Sequence, residues 1–247
     1  MPDATDYPPG AQVWLELVTA DPRAAAAFYT RIFNWQVHAP VPAYRFCLQG
    51  DLPVTAIVND AYHRGQASGG WLPGFFVPDL DEACRRAVQH GGTVPVAPAA
   101  EHGKGRHALV RDPGGTECTL WGAGHLPDPK PVRTPGHRWK TELSARDPLR
   151  STAFYVEVLG GGTKRSEKPG GVNRLTARDG LPLFDVTPSP AGTETDRWVT
   201  HFVVRDLTSA VRTVTDGGGE VEQADAACST TIRMADLHRT PSVLLAL

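Results

Sequence analysis

Three titratable side chains, Lys140, Glu142 and His201, carry the clearest chemical signal in this sequence of 247 residues. Lys140 and Glu142 lie two residues apart in "RWKTELSA", so their side chains share one face if this segment is a β-strand. A carboxylate beside an imidazole forms an acid–base pair, and a neighbouring ammonium group can stabilise an enolate or phenolate. We predict that these three residues are catalytic. The alternative is a structural charge network in which Lys140 simply pairs with Glu142.

A second set of residues is mainly aromatic and predicts a binding pocket. The residues that we predict to contact a substrate are Trp14, Glu16, Leu72, Phe76, His107, Glu117 and Trp121. Apolar pockets with a few polar groups are the usual sites for small organic molecules. The alternative is that the aromatic rings simply belong to the core. Glu16, if it is buried here, needs a partner or is protonated at neutral pH.

The other histidines and the cysteines lack the spacing of a metal site or a disulfide framework. Six histidines fall in predicted loops or helix ends and are expected at the surface: His38, His63, His90, His125, His137 and His238. The four cysteines lie far apart without a CxxC pair: Cys47, Cys84, Cys118 and Cys228. They indicate reduced, mostly buried thiols.

The composition argues against several classes of partner. The net charge is −2 and no run of lysine or arginine is present, which disfavours nucleic acid or an anionic membrane as the main partner. No apolar stretch approaches the roughly 20 residues that a membrane span needs. No signal peptide is visible at the start of the sequence. We therefore expect a cytoplasmic protein whose partner is a small molecule, and the sequence leaves the oligomeric state open.

An internal repeat organises the elements that must position these residues. The segment "DPRAAAAFYTRIFNW" (21–35) returns as "DPLRSTAFYVEVLGG" (147–161), at an offset of 126 residues. A weaker echo relates 71–94 to 198–221, and each of these segments has an aspartate before a predicted helix. The chain therefore consists of four units on one plan. The Pro- and Gly-rich stretch 125–135 separates two predicted domains, 8–124 and 136–247.

Each unit has the pattern of a βαβββ module. In the first unit, "AQVWLELVTA" alternates as a half-buried strand does, and Asp21 followed by Pro22 is a helix start. Apolar residues at helical spacing and three further strand patterns follow. A module of roughly 50 residues cannot bury its sheet alone, so we expect modules to pair, two per domain, around a trough.

Two details of the modules bear on the site. The helix should cover Val13, Leu15 and Leu17, which leaves Trp14 and Glu16 facing the trough. The second module ends in a hairpin over "DPGG" (112–115), a strong turn sequence. The fourth module has "DLHR" (236–239) in this place, without the Pro–Gly pair, so its turn is predicted to differ.

These features together resemble the vicinal oxygen chelate superfamily, which includes glyoxalase I, bleomycin-resistance proteins and extradiol dioxygenases. The resemblance is carried by "WLELVTADPRAAAAFY" and "RDPGGTECTLW", is strongest to tandem-domain members from actinobacteria, and covers nearly all of residues 10–247. It implies an α+β fold in which four βαβββ modules pair into two glyoxalase-like domains.

The resemblance also implies where a metal would be held. Enzymes of this superfamily bind a divalent metal through His, Gln or Glu side chains that face the trough. None of the corresponding positions here offers a good ligand: Trp14, Leu72, Thr119, Lys140, Val199 and Val243. Positions two residues along offer only two candidate ligands per domain: Glu16 and Glu117 in the first, Glu142 and His201 in the second. We predict no metal and no cofactor.

The predicted function is metal-independent acid–base chemistry on a hydrophobic small molecule, aromatic or carbonyl-bearing, in secondary metabolism. Two alternatives stay open. One is a non-catalytic protein that sequesters a small molecule, as bleomycin-resistance relatives do, and the other is a metal-dependent lyase or dioxygenase. The group of Lys140, Glu142 and His201 favours an enzyme over a binding protein. The unsuited ligand positions count against a metal enzyme.

Overall fold

The computed structural model describes residues 7–101, 105–124, 133–165, 172–222 and 230–246, which form sixteen strands and four α-helices. The first module contains β1 (Gln12–Val18), α1 (Pro22–Phe33), β2 (Gln36–Val41), β3 (Tyr44–Gln49) and β4 (Leu52–Val58). The second contains β5 (Gly70–Phe76), α2 (Leu80–Gln89), β6 (Thr93–Glu101), β7 (Gly105–Arg111) and β8 (Glu117–Trp121). The third contains β9 (Arg138–Ala145), α3 (Pro148–Leu159), β10 (Gly162–Arg165), β11 (Asn173–Thr176) and β12 (Pro182–Pro188). The fourth contains β13 (Arg197–Val204), α4 (Leu207–Asp216), β14 (Glu220–Glu222), β15 (Thr231–Ala235) and β16 (Pro241–Ala246).

The strands form two eight-stranded sheets of identical plan. The orders are β2-β3-β4-β1-β5-β8-β7-β6 and β10-β11-β12-β9-β13-β16-β15-β14. In both sheets the first strands of the two modules are antiparallel neighbours at the centre. The predicted fold class, four βαβββ modules paired into two α+β units, is confirmed. The predicted domain limits stay predictions, because residues 125–132 of the linker lie outside the described residues.

The repeated aspartate explains where each helix begins. Asp21, Asp79, Asp147 and Asp206 each stand directly before a helix, and each carboxylate accepts a hydrogen bond from a backbone N–H of the first turn. A cap of this kind typically stabilises a helix by about 1 kcal/mol. The repeat in the sequence is therefore a repeat of helix starts.

One prediction about the first strand is wrong, because β1 is irregular. Its register with β5 shifts between Gln12 and Trp14. Leu15 and Leu17 lie in the core on the helix side, as predicted, whereas Val13 lies with Trp14 in a cluster on the opposite face. A bulge breaks the strict alternation of side chains, and alternation in a sequence cannot reveal it.

The predicted difference between the two hairpin turns is also wrong. In the second module, Asp112 Oδ1 accepts hydrogen bonds from the N–H groups of Gly114 (2.9 Å) and Thr116 (2.8 Å). In the fourth module, Asp236 Oδ1 accepts the N–H of Thr240 at 2.9 Å in the same way. The aspartate side chain therefore builds the same turn in both places, with or without the Pro–Gly pair.

The equivalence of the turns requires an unusual backbone at Arg239. Gly115 has a φ of 95°, and Arg239, which stands at the same place in the other turn, has a φ of 63°. This left-handed region is open to glycine and costs other residues roughly 1–2 kcal/mol. The fourth module thus keeps the turn at a local energetic cost.

The two sheets share one hydrophobic core. It contains the helix-side residues of both halves, including Phe75 and Trp198, whose ring centroids lie 5.7 Å apart. Hydrogen bonds also cross between the halves: Trp71 Nε1 donates to Ser242 Oγ at 2.9 Å, and Trp198 Nε1 donates to the carbonyl oxygen of Glu117 at 2.7 Å. The halves are therefore joined through one face of each sheet, and the opposite faces form the troughs.

Tyr29 and Tyr155, which correspond in the sequence repeat, also connect the two halves. Tyr29 OH donates a hydrogen bond to Asp236 Oδ2 at 2.9 Å. Tyr155 and Asp112 stand at the corresponding places and interact electrostatically. Burial raises the pKa of the Asp112 carboxyl to about 6. Each tyrosine thus reaches the aspartate of the turn in the other half.

Cys47, Cys84 and Cys118 are buried free thiols, as predicted, and Cys228 lies outside the described residues. In the part of the chain that the structure describes, no helix combines the length and the apolar character needed to cross a membrane.

Candidate functional site

The first trough, the face of the first sheet opposite the shared core, contains a cavity with aromatic walls. The cavity has a volume of about 390 Å³. The side chains that line it include Tyr44, Phe46, Tyr62, His63, Arg64 and His107. Sites for small organic molecules usually measure roughly 300–1,000 Å³ and have mostly apolar walls. The first trough therefore has the size and the surface of a small-molecule site.

One residue of the cavity wall, His63, pairs with a buried carboxylate. His63 Nε2 lies 2.7 Å from Glu16 Oε2, with the two side chains only 1% and 2% exposed. Tyr44 OH donates to Glu16 Oε1 at 3.0 Å and accepts a hydrogen bond from Trp14 Nε1 at 2.9 Å. A buried carboxylate is costly without partners. Glu16 has the partners that its burial requires.

The prediction that His63 lies at the surface is wrong. His63 ends a short 3-10 helix, Asp60–His63, in which the side chain of Asn59 accepts the N–H of Tyr62 at 3.3 Å. The helix follows β4 and places the imidazole against Glu16. The asparagine cap in "NDAYHRG" was the available signal, but a cap predicts a turn and not its burial.

The other five histidines expected at the surface have different environments. His38, His90 and His238 are exposed, His137 is half-buried, and His125 lies outside the described residues.

The structure brings six of the seven predicted binding residues together in the first trough. Four of them belong to one buried cluster: Trp14, Leu72, Phe76 and Trp121. Glu16 accepts a hydrogen bond from Trp14 Nε1 at 3.2 Å. His107 stacks on Trp121, with ring centroids 4.8 Å apart. Of the six residues, His107 lines the cavity, whereas the other five are buried and do not line it. The role of the set in binding stays a proposal.

Glu117, the seventh predicted binding residue, has a different environment. Its Oε1 accepts a hydrogen bond from Arg111 Nη2 at 2.6 Å. Its Oε2 accepts the backbone N–H of Ser68 at 2.7 Å. Glu117 therefore holds the loop before β5 in place. It also lines a cavity between the two halves.

The second trough, the corresponding face of the second sheet, contains a network of charged side chains. Lys140 Nζ lies 3.2 Å from Glu142 Oε2. His201 Nε2 lies 3.1 Å from the same oxygen, as an ion-pair contact rather than an aligned hydrogen bond. The three residues predicted to be catalytic are thus in contact. Their catalytic role stays a proposal.

Two charged neighbours of this group were not predicted. Lys140 Nζ also lies 3.3 Å from Asp185 Oδ2, and Arg174 Nε donates to Asp185 Oδ1 at 2.7 Å. Asp185 on β12 stands opposite Glu142 on β9, and Arg174 on β11 stands opposite Asp185. With His201 on β13, the network therefore runs across four adjacent strands, β11, β12, β9 and β13. This cross-strand register is invisible in the sequence, because no local pattern specifies the parallel pairing of β12 with β9.

The network determines the charge of Glu142. Burial alone raises the pKa of this carboxyl, but the neighbouring His201 and the ammonium group of Lys140 oppose burial more strongly. The net result is a pKa of about 2. Glu142 is therefore a carboxylate at neutral pH and can hold a proton donor in place.

In the vicinal oxygen chelate superfamily, six positions correspond to metal ligands. The side chains that this chain has at those positions do not fit a metal ion. Thr119 Oγ1 already accepts a hydrogen bond from Trp121 Nε1 at 2.9 Å, and Lys140 pairs with carboxylates. The other four positions hold side chains without a useful ligand atom: Trp14, Leu72, Val199 and Val243. Across the described ranges, no group of three or more His, Cys, Asp or Glu side chains is arranged to hold a metal ion.

Comparison with known proteins shows what this chain is similar to. Residues 11–119 match the model of the Glyoxalase/Bleomycin resistance protein/Dioxygenase superfamily. The anthracycline biosynthesis protein DauV of Streptomyces sp. (strain C5) is 28% identical over 243 residues, which is 88% of this chain and 86% of DauV. The anthracycline biosynthesis protein DnrV of Streptomyces peucetius is 28% identical over 247 residues, 90% of this chain and 87% of DnrV.

Solved structures show the same fold. The Mn(II)-bound glyoxalase from Novosphingobium aromaticivorans superposes with a TM-score of 0.66 at 10% identity, over 97% of this chain and 82% of that one. In the present chain the second half repeats the strand order of the half that the family model matches. The first half of this chain is therefore similar in sequence to the Glyoxalase/Bleomycin resistance protein/Dioxygenase superfamily, and the second half repeats its strand order.

Proposed function

We propose that this protein binds a hydrophobic small molecule in the first trough and transfers a proton on it by acid–base chemistry, without a metal. The ligand carries an aromatic ring and a carbonyl or phenol group. The observation that carries the proposal is that His63, in the wall of the aromatic cavity, lies 2.7 Å from the buried carboxylate of Glu16. An imidazole held by a carboxylate inside an apolar pocket is a suitable general base or acid.

Each nitrogen of His63 has a role in the proposed reaction. In the tautomer with its proton on Nε2, His63 donates to Glu16, and Nδ1 is the proton-accepting atom. Within the described part of the chain, His63 Nδ1 is buried without a hydrogen-bond partner. Nδ1 can take a proton from an acidic C–H beside a carbonyl group, and Glu16 then stabilises the imidazolium. The same proton can return to another atom of the ligand, so the reaction consumes no co-reactant.

The aromatic walls suggest the class of ligand. The rings of Tyr44 and Tyr62 lie 4.6 Å apart, and those of Tyr44 and Phe46 lie 4.8 Å apart. Such a surface favours a planar aromatic molecule, since rings attract one another in stacked or edge-to-face arrangements. Two relatives are named anthracycline biosynthesis proteins. We infer that the ligand here is also an aromatic intermediate of secondary metabolism.

A second candidate site is the group of Lys140, Glu142 and His201 in the second trough. The 3.1 Å contact and the low pKa of Glu142 support it. There, His201 would act as the acid–base residue and Lys140 would stabilise a developing negative charge. Lys140 is shared between Glu142 and Asp185, whose charges offset its own. This sharing makes the second trough the weaker candidate.

The proposal can be tested by closing the cavity. Ala99 lines the cavity, whereas Ala97 is exposed on the same strand. We expect the wild-type protein to carry over an aromatic small molecule from its native host, detected by mass spectrometry. Ala99→Trp should lose this molecule and Ala97→Trp should keep it. Retention by Ala99→Trp would place the ligand elsewhere and contradict the proposal.

Two further measurements separate the remaining alternatives. Metal analysis of the same samples should find less than one transition-metal ion per chain, and a stoichiometric metal that resists chelation would favour a metal enzyme. If the bound molecule is recovered unchanged after long incubation with fresh protein, the first trough sequesters its ligand rather than transforming it.

A further inference from the structure

A larger cavity lies between the two halves of the molecule. This central cavity has a volume of about 570 Å³ and is separate from the pocket in the first trough. Its walls come from the beginnings of β5 and β13 and from the two aspartate turns. Trp71 and Trp198 contribute apolar surface to it. Both halves of the chain therefore build one cavity that neither half contains alone.

The two walls of the central cavity differ in a systematic way. Where the first half has Gly70, the second half has Arg197, at the offset of 127 that relates Trp71 to Trp198. Where the first turn has Gly115, the second turn has Arg239. One wall thus lacks side chains at the positions where the other wall carries arginines. This asymmetry leaves room for a ligand beside the arginines of the second wall.

The acidic residues of the central cavity are already paired. Glu117 is bound by Arg111, and Asp196 accepts from Arg146 Nε at 2.9 Å. Arg239 forms an ion pair with Glu220. In each of these pairs the two opposite charges neutralise each other. The paired residues therefore add little net charge to the central cavity.

Arg197 and Thr116 line this cavity, and each has a buried polar atom without a hydrogen-bond partner among the described residues. Among the described residues, Arg197 forms no ion pair, and its Nε is buried without an acceptor. Thr116 Oγ1 is also buried without a partner, and the residue is 6% exposed. Leaving a buried donor unpaired costs free energy, more so when the group is charged. Both side chains line the central cavity, so an acceptor placed there would satisfy them.

We propose that the central cavity binds an organic oxyanion, a carboxylate or phosphate attached to an apolar body. The planar guanidinium of Arg197 matches the geometry of such oxygens, and the hydroxyl of Thr116 supplies a further donor. The apolar body of the ligand lies against Trp71 and Trp198. This site does not depend on the function proposed for the first trough.

Calorimetric titration at constant ionic strength tests the proposal with three probes: benzoate, phenyl phosphate and the neutral benzyl alcohol. We expect one saturable site per chain for at least one of the two anions, and weaker or no binding of benzyl alcohol. The tighter of the two anions identifies the headgroup. Absence of saturable binding by both anions would overturn the proposal.

Matched variants locate the binding. Arg197→Gln should weaken anion binding roughly tenfold or more, the usual scale for a lost charge-assisted hydrogen bond, and Thr116→Val should weaken it less. Arg85→Gln, at an exposed arginine of α2 that does not line the central cavity, should bind as the wild type does. Thermal unfolding without ligand checks that each variant is folded. Wild-type affinity in Arg197→Gln would sink the proposal.

Ala99→Trp provides the last control, because it fills the first trough and leaves the central cavity unchanged. It should bind the anion with wild-type affinity. If Ala99→Trp abolishes anion binding, the probes occupy the first trough and the central cavity is not their site. Loss of the native aromatic ligand together with retained anion binding would support both sites independently.

Discussion

Glu16 on β1 and Glu142 on β9 are equivalent residues of the two halves, 126 positions apart, and each stands beside a histidine. The histidine of the first trough, His63, comes from the 3-10 helix after β4, whereas His201 of the second trough comes from β13. The carboxylate is thus a fixed feature of the repeated module. The histidine was supplied separately in each half, by different elements.

The surroundings of the two pairs differ more than the pairs do. His63 is 1% exposed and lies among aromatic rings, whereas His201 is 12% exposed and lies beside ammonium and carboxylate groups. A carboxylate–imidazole pair acts more strongly where water is excluded. The repeated carboxylate therefore pairs with a histidine in both halves, in a dry pocket in the first and in a charge network in the second.

The largest expected effect is a difference in turnover rate between the variants of the two histidines. His63→Ala should lower turnover of the native ligand by roughly 10²–10⁴-fold, the usual contribution of a general acid or base. His201→Ala should change it by less than about tenfold. Steady-state kinetics on both variants, with circular dichroism to check folding, makes the comparison. The reverse order would move the chemistry to the second trough.

The next effect concerns the acid stability of the second trough. The pKa of Glu142 is about 2 in the folded protein and 4.5 for an unperturbed glutamate, so its stabilising contribution is complete above pH 4.5 and is lost towards pH 2. That difference corresponds to about 3 kcal/mol. Urea unfolding should show Glu142→Gln destabilised at pH 6, with the gap to the wild type closing as the pH falls. A gap that stays constant would contradict the assigned pKa.

An effect of opposite sign is expected at Asp112. Its pKa is raised to about 6 from 3.8, so the fold favours the protonated form, and stability falls as the pH rises from about 4 to 6. Asp112→Asn keeps the acceptor oxygen of the turn and should be more stable than the wild type at pH 7, by roughly 1–3 kcal/mol. Asp236→Asn makes the same change in the other half for comparison. Equal pH profiles of Asp112→Asn and wild type would refute this expectation.

The smallest effect contrasts the two turns. Arg239→Gly relieves a left-handed backbone but adds freedom to the unfolded chain, so a net gain of roughly 0.5–1 kcal/mol is expected. Gly115→Ala should lose stability, since φ is 95° there although open space surrounds the position. Thermal unfolding should place the two melting temperatures on opposite sides of the wild type. A lower melting temperature for Arg239→Gly would mean that its ion pair with Glu220 outweighs the strain.

Local sequence patterns were sufficient for the helix starts, for the module plan and for some of the residues that strands carry into the troughs. The capping aspartates fixed the helix starts, and alternation placed Trp14 and Glu16 on the trough face. These features follow from short-range chemistry, and so they are visible in a few consecutive residues. The repeat then extended the interpretation from one module to four.

The parts that were missed depend on contacts between distant segments. The burial of His63 depends on how the turn after β4 meets β1, and Arg174 and Asp185 join the second trough through cross-strand register. The shift that moves Val13 to the trough face is a bulge. None of these is a property of one segment alone.

The shared core makes the two halves behave toward each other as the subunits of a dimer do. A half separated from its partner would expose to water the face that holds Phe75 or Trp198, which the other half now covers. The covalent connection therefore acts as a tether that raises effective concentration. Two half-chains made separately should be insoluble or self-paired when alone, and should restore the native assembly when mixed.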